Sequence, residues 1–266
     1  MLDFTLARFV VSFVSANLRF VVLLVAPLFV LALIRTHFAA KNAAVIAFAP
    51  DGMSAVSSVS GTEFVILLIE AVLWLGAATA WHRLILLREE PSVGSLVPGK
   101  REFRYFLVSL MLFLLLALIV LPVAILVSVI TLTSGSVFLV LLVSVAMMPL
   151  ATYFALRFSP VLPRAALELP WLGFKDAWRK TRPYSNAILG WIVVVFAVSV
   201  ALQLISLVFG RSLPFGAYGT AMLGAVILTP INYFLLFADL TVMSELFRVS
   251  ANDGEDADRD GGDVPA

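Results

Sequence analysis

Charged and amide side chains inside long apolar runs are the residues of this sequence that could do chemistry. Asn232 and Asp239 share one run, seven residues apart, which puts them on one helix face just after Pro230. Glu70 and Gln203 lie in two other runs, at comparable depth. A charge in a membrane helix is costly, so it pairs, lines a water-filled path, or holds a proton or ligand. Asp239 and Asn232 therefore read either as a structural polar pair satisfied by Arg157 or His82, or as a proton or ligand site where Pro230 loosens the helix. Glu70 and Gln203 read either as a hydrogen-bonded pair, worth about 1 kcal/mol or less, or as a substrate contact. A second group is basic rather than buried. Lys175, Arg179 and Lys180 stand on one short amphipathic stretch, Gly173 to Arg182, where cations could meet anionic lipid headgroups.

Other chemistries find no residues. Cysteine is absent and histidine occurs only at His37 and His82, which excludes disulfides, thiolate metal sites and a histidine-rich metal centre. No phosphate-binding glycine loop, nucleophile elbow or zinc-protease motif is present. The stretches between apolar runs are about 20–30 residues at most, too short for a catalytic domain. The expectation is a non-enzyme with no cofactor and no metal. No basic tract interleaved with aromatics lies outside the loops that flank the apolar runs, which argues against nucleic acid as a partner.

The elements that position these residues are membrane spans. Of the 266 residues, 62% are hydrophobic and 13% charged, against roughly 45–50% and 25% in soluble domains. Apolar runs long enough to cross a bilayer fall at about 20–40, 62–87, 105–131, 137–156, 188–209 and 218–247. The fold class is all-α: a polytopic six-span domain over 1–248. Leu6, Phe9, Val10 and Phe13 form the stripe of an amphipathic helix ahead of the first span. A second such elbow is expected at Gly173–Arg182, after Pro160, Pro163 and Pro170 have broken the chain. His82, between Trp81 and Arg83, reads as an interfacial anchor, and Gly76, Ala77, Ala78 and Ala80 as a surface for close helix approach. The apolar run after Phe20 has the wrong flanks for a cleaved signal peptide, so the first span is expected to be retained.

Fifteen Lys and Arg residues fall in the termini and the loops at 83–104 and 157–186, and three, Arg35, Lys41 and Arg211, in the opposite set. Basic excess marks the cytoplasmic side. Both termini are therefore expected in the cytoplasm, with 249–266 a disordered acidic tail: NDGEDADRDGGDVPA holds six acidic residues and no aromatic.

The pattern RFSPVLPRAALE at 157–168, followed by GFKDAWRKTR at 173–182, resembles the cytoplasmic loop of bacterial six-span proteins of unknown function. These are similar to the membrane domain of glycerophosphoryl diester phosphodiesterases. WHRLILLREEP at 81–91 is similar to the same group. Arg157, Leu162, Pro163, Ala165, Ala166 and Thr181 fill the places of a basic residue, an L-P-A-x-A step and the Ser/Thr after an elbow helix. The resemblance implies the fold and a bacterial inner-membrane location. This chain has no catalytic domain, so the activity does not transfer. The expected function is a non-enzymatic membrane module that organises anionic lipid or a membrane protein partner. The alternative is a small transporter working through Glu70, Asn232 and Asp239.

Overall fold

A computed structural model describes residues 5–47, 60–134, 137–212 and 216–260, with side chains over 5–41, 60–126, 128–129, 147–205 and 218–251. It is 90% helical, without strands among the described residues. The helices are α1 (Thr5–Ala16), α2 (Leu18–Ala47), α3 (Gly61–Leu87), α4 (Lys100–Ser134), α5 (Val137–Phe158), α6 (Val161–Ala166), α7 (Phe174–Lys180), α8 (Ser185–Ser212) and α9 (Gly216–Asp260). Five of them, α2, α3, α4, α8 and α9, carry segments long and apolar enough to cross a membrane. The expected fourth span coincides with α5, a continuous 22-residue helix whose side chains are described only from residue 147.

Local chemistry sets the helix ends. Ser60 and Glu63 close α3 with a reciprocal capping box: the Glu63 amide donates to Ser60 Oγ at 3.2 Å and the Ser60 amide to Glu63 Oε2 at 2.9 Å. Two orphan donors are thereby satisfied. At the other end Arg88 adopts the left-handed conformation, φ 60°, that turns the chain out of α3. Asn17 separates α1 from α2, its side-chain amide donating back to the Phe13 carbonyl. Pro27, Pro122, Pro149 and Pro230 all lie inside continuous helices. The last helix passes the expected domain boundary at 248 and continues to Asp260; residues 261–266 lie outside the described chain.

Helix α9 packs along α2 and α3, with α1 and α8 against its C-terminal half, while α4 and α5 pair and α5 also meets α8. Polar loops gather at one end. Arg19 pairs with Glu90 at 3.0 Å, Arg83 with Glu89, and the Arg104 guanidinium donates to the Leu169 carbonyl. Helix α1 contacts α9 and α8 at this same end. Arg35 and His37, the latter bonded to the Tyr218 hydroxyl, lie toward the other.

Side-chain packing is concentrated at the basic end. Every residue of α3 from Gly76 to His82 is buried, whereas Phe64, Val65, Leu67, Leu68 and Ile69 are exposed. Helix α4 likewise exposes Phe113, Leu114, Leu118 and Leu121. Apolar faces of this extent suit lipid rather than water. What sheathes Gly76 is not a helix. The chain after α3 doubles back, and a 3-10 turn at Val93–Leu96 lies against it. A β-carbon at Gly76 would sit 2.8 Å from the Ser95 carbonyl oxygen and 2.9 Å from Leu96 Cα. Gly76 is eleven residues before Leu87, so the turn reaches about 16 Å back along α3. Pro91 and Leu96 are buried by this return. The small residues at 76–80 therefore admit a loop backbone at Gly76, where close helix approach was expected.

Candidate functional site

The segment between α5 and α8 is built on a buried cation. Arg157, only 2% exposed, closes α5 and turns its guanidinium under α7. Its Nη1 donates to Ser185 Oγ and its Nη2 to the Trp178 carbonyl, both at 2.8 Å, while the guanidinium carbon stands 4.1 Å from the Trp178 ring centroid. Arg157 thus holds the last turn of α7 by a hydrogen bond and a cation–π contact together. Thr181, fully buried, ties the return path: its hydroxyl lies 2.9 Å from the Arg157 carbonyl and 2.8 Å from that of Ala177. Phe154, Phe158 and Phe174 complete an aromatic cluster around Trp178. Ala177, the inward residue of α7, is fully buried.

With the inner face fixed, the outer face is free for contact. Lys175 and Arg179 are exposed and Lys180 is half-buried. Arg179 pairs with Asp176 at 2.9 Å, leaving the face net positive. The strand of chain before α7 is held by the Arg164 guanidinium on the Pro170 carbonyl and by Arg104 on Leu169. Anchored in this way, Leu169 and Trp171 remain exposed, Trp171 by 50% with its ring against Phe174. Exposed apolar side chains beside exposed cations form the amphipathic surface that an anionic leaflet attracts.

The intramembrane residues take partners other than those expected. Glu70, 13% exposed, pairs with Arg35 Nε at 3.2 Å rather than with Gln203, which is exposed on α8. Tyr233 and Leu236 of α9 join Glu70, Leu28, Leu67 and Trp74 in lining a shallow cavity of about 300 Å³. Asp239 Oδ1 accepts from Trp191 Nε1 at 2.8 Å. Arg157 is engaged by Ser185 and the Trp178 carbonyl and His82 by Ser244 and Tyr105, so neither is its partner. Asn232 is exposed. The structure therefore divides Glu70, Asn232 and Asp239 among different surroundings instead of joining them.

His82 is fully buried, not an interfacial anchor. It lies between α9 and α4, Nδ1 at 2.7 Å from Ser244 Oγ and Nε2 at 3.1 Å from the Tyr105 hydroxyl. The adjacent Trp81 donates its Nε1 to Thr241 Oγ1, about one turn before Ser244 on α9, at 3.0 Å. These bonds cross-link three helices where buried polar groups must be satisfied. The W-H pair with Thr241 and Ser244, spaced by three residues, is the sequence signal that could have found it. Arg157 and Thr181 were marked by the pattern at 157–182, but nothing in the sequence indicated that Arg157 would be buried against Trp178 and Ser185. Among the described residues no three His, Asp or Glu side chains converge as metal ligands do. Comparison with family models, curated proteins and solved structures gives no match for this chain.

Proposed function

We propose that this chain is a non-enzymatic, six-span membrane module whose elbow segment, 157–186, docks on anionic lipid headgroups at the cytoplasmic leaflet of a bacterial inner membrane. In this reading α5 is the fourth of six spans, both termini are cytoplasmic, and α1 and α7 are interfacial elbows. The observation that carries it is the anchoring of α7 through buried Arg157, with Lys175, Arg179, Leu169 and Trp171 left outward. Each cation near an anionic surface contributes about 1 kcal/mol; Lys175, Arg179 and Lys180 less Asp176 leave two net positive charges, which gives about 2 kcal/mol, roughly thirtyfold in partition. The resemblance of 157–182 to the loop of bacterial six-span proteins supports the same fold.

The test is native mass spectrometry of the purified protein with phosphatidylglycerol against phosphatidylcholine. The wild type should retain the anionic lipid preferentially, and Lys175→Gln/Arg179→Gln/Lys180→Gln should lose the preference while staying folded. Equal retention of both lipids by the wild type sinks the proposal; a co-purifying protein lost on the same substitutions would assign the surface to a partner instead. The transport reading through Glu70, Asn232 and Asp239 receives less support, because Glu70 and Asp239 are each engaged by a different side chain.

A further inference from the structure

The first turn of α8 carries more positive charge than the protein neutralises. Arg157 is 2% exposed, its Nε finds no acceptor, and its Nη1 is aimed at Ser185, the first residue of α8. Arg182 stands near enough to repel it. Neither cation pairs with a carboxylate among the described residues. Helix α8, 28 residues long, adds the positive end of its dipole at the same place and has no acidic residue in its first turn. A buried charge is weakly screened, so Arg157 acts on this surface without being touched. Arg182 and Asn186 are exposed there and supply the donors that an anion would meet.

The same stretch of chain walls an apolar groove. Tyr184 and Ala187, with Leu6 and Phe9 of α1 and Leu246 of α9, line a volume of about 340 Å³. Glu245 also lines it, but it is paired with Arg248 at 2.6 Å and sets no preference for charge. An anion with a hydrocarbon body fits both the cationic turn and the groove, whereas a free phosphate fits only the turn.

We infer that the start of α8 holds one anionic glycerophospholipid, its phosphate on Arg182 and the α8 N-terminus and an acyl chain in the groove between α1 and α9. This rests on the reading of 157–186 as an anionic-lipid surface and adds to it a fixed seat beyond Arg157. Phosphatidylcholine offers the same phosphate, but its ammonium cancels the charge that the site selects.

The experiment is photo-crosslinking of the full chain in mixed vesicles of phosphatidylglycerol and phosphatidylcholine, one of the two carrying a diazirine in its acyl chain. Labelled peptides are located by mass spectrometry. The glycerol lipid should label α1 around Phe9 and α9 around Leu246 about tenfold more than the choline lipid, the worth of one charge-assisted hydrogen bond. Both lipids should label the exposed face of α4 at 113–121 equally. Arg182→Gln should remove the excess and Arg182→Lys restore most of it. Asn186→Asp separates binding from folding: a carboxylate in the first turn suits the helix dipole, so the melting temperature should hold or rise while the excess is lost. Equal labelling of the groove by both lipids overturns the inference, as does an excess unchanged in Arg182→Gln and Asn186→Asp. Displacement of the label by soluble glycerol phosphate overturns it too, because the ligand would then be a free phosphate. If native mass spectrometry still shows a preference for phosphatidylglycerol in those cases, the α7 surface stands and only the seat fails.

Discussion

Substituting Gly76 by alanine tests the return of the 89–99 segment along α3. The new β-carbon would meet the Ser95 oxygen at 2.8 Å, Leu96 Cα at 2.9 Å and the Leu96 carbonyl carbon at 3.1 Å. Non-bonded carbon contacts are optimal at about 3.5–4.0 Å, so the turn must retreat by roughly half an ångström or more. The contacting atoms are backbone, which a rotamer change cannot move aside. Overpacking of this kind costs about 1–3 kcal/mol, and alanine's better helix propensity returns at most about 1 kcal/mol. Because the obstacle is backbone, the upper part of the overpacking range, about 2–3 kcal/mol, applies. After a gain of about 1 kcal/mol the net loss is about 1–2 kcal/mol, a fall of roughly 2–8 °C in melting temperature at 2–4 °C per kcal/mol. Gly224→Ala is the control, because nothing lies within 4 Å of its β-carbon position. It should be neutral or slightly stabilising. Tryptophan-fluorescence melts in detergent measure both, and Ser95→Cys in this cysteine-free chain reports whether the turn has lifted. Identical melts for the two alanine variants, with Ser95→Cys no more reactive in the Gly76→Ala background, would refute the close approach.

Arg157→Lys keeps the charge but loses the forked donation to Ser185 and Trp178; stability should fall by about 2 kcal/mol, and proteolysis after Lys175 should quicken. Arg35→Gln and Glu70→Gln should each lower thermal stability by about 1–3 kcal/mol by leaving one charge unpaired, and the double variant should recover part of the loss; additive losses would count against the ion pair. Trp191→Phe and Asp239→Leu should couple by about 1 kcal/mol or more in a double-mutant cycle, since they share one hydrogen bond. For topology, Val93→Cys, which is 67% exposed, should be shielded from an impermeant thiol reagent in intact cells and Ser54→Cys labelled; the reverse pattern refutes cytoplasmic termini.

The positions of the long helices were legible because an apolar run of bilayer length and its polar flanks are local properties. α3 and α8 begin or end within three residues of the expected spans, and α7 lies inside the expected elbow. Partner choice was not legible. Arg35 finds Glu70 across 35 residues, and Trp191 finds Asp239 across 48. Which face of α2 or α8 turns inward is weakly encoded where a helix is apolar all round, so depth alone gave Gln203 and Arg157 as partners. The capping box at Ser60–Glu63 is by contrast readable from spacing alone, since both bonds lie within four residues. The return of the loop onto Gly76 needed a signal that glycine shares with any close helix contact.

The distribution of polar bonds explains why the basic end is the packed one. Lipid tails solvate leucine as well as another leucine does, so apolar contact alone gives little drive for helices to associate in a bilayer. The exposed flanks of α3 at 64–69 and of α4 at 113–121 fit that weak drive. At the other end His82, Trp81, Thr241, Ser244 and Tyr105 bond across α3, α4 and α9, and Arg157 with Thr181 bonds across α5 and α7. Each bond satisfies a group that would otherwise be buried unpaired, which fixes helix rotation as well as proximity. The cross-linked helices form the base from which Lys175, Arg179 and Trp171 project outward. Loosening His82 should therefore weaken the proposed anionic-lipid contact, although His82 does not touch α7: His82→Leu should reduce retention of phosphatidylglycerol, and unchanged retention would refute the coupling.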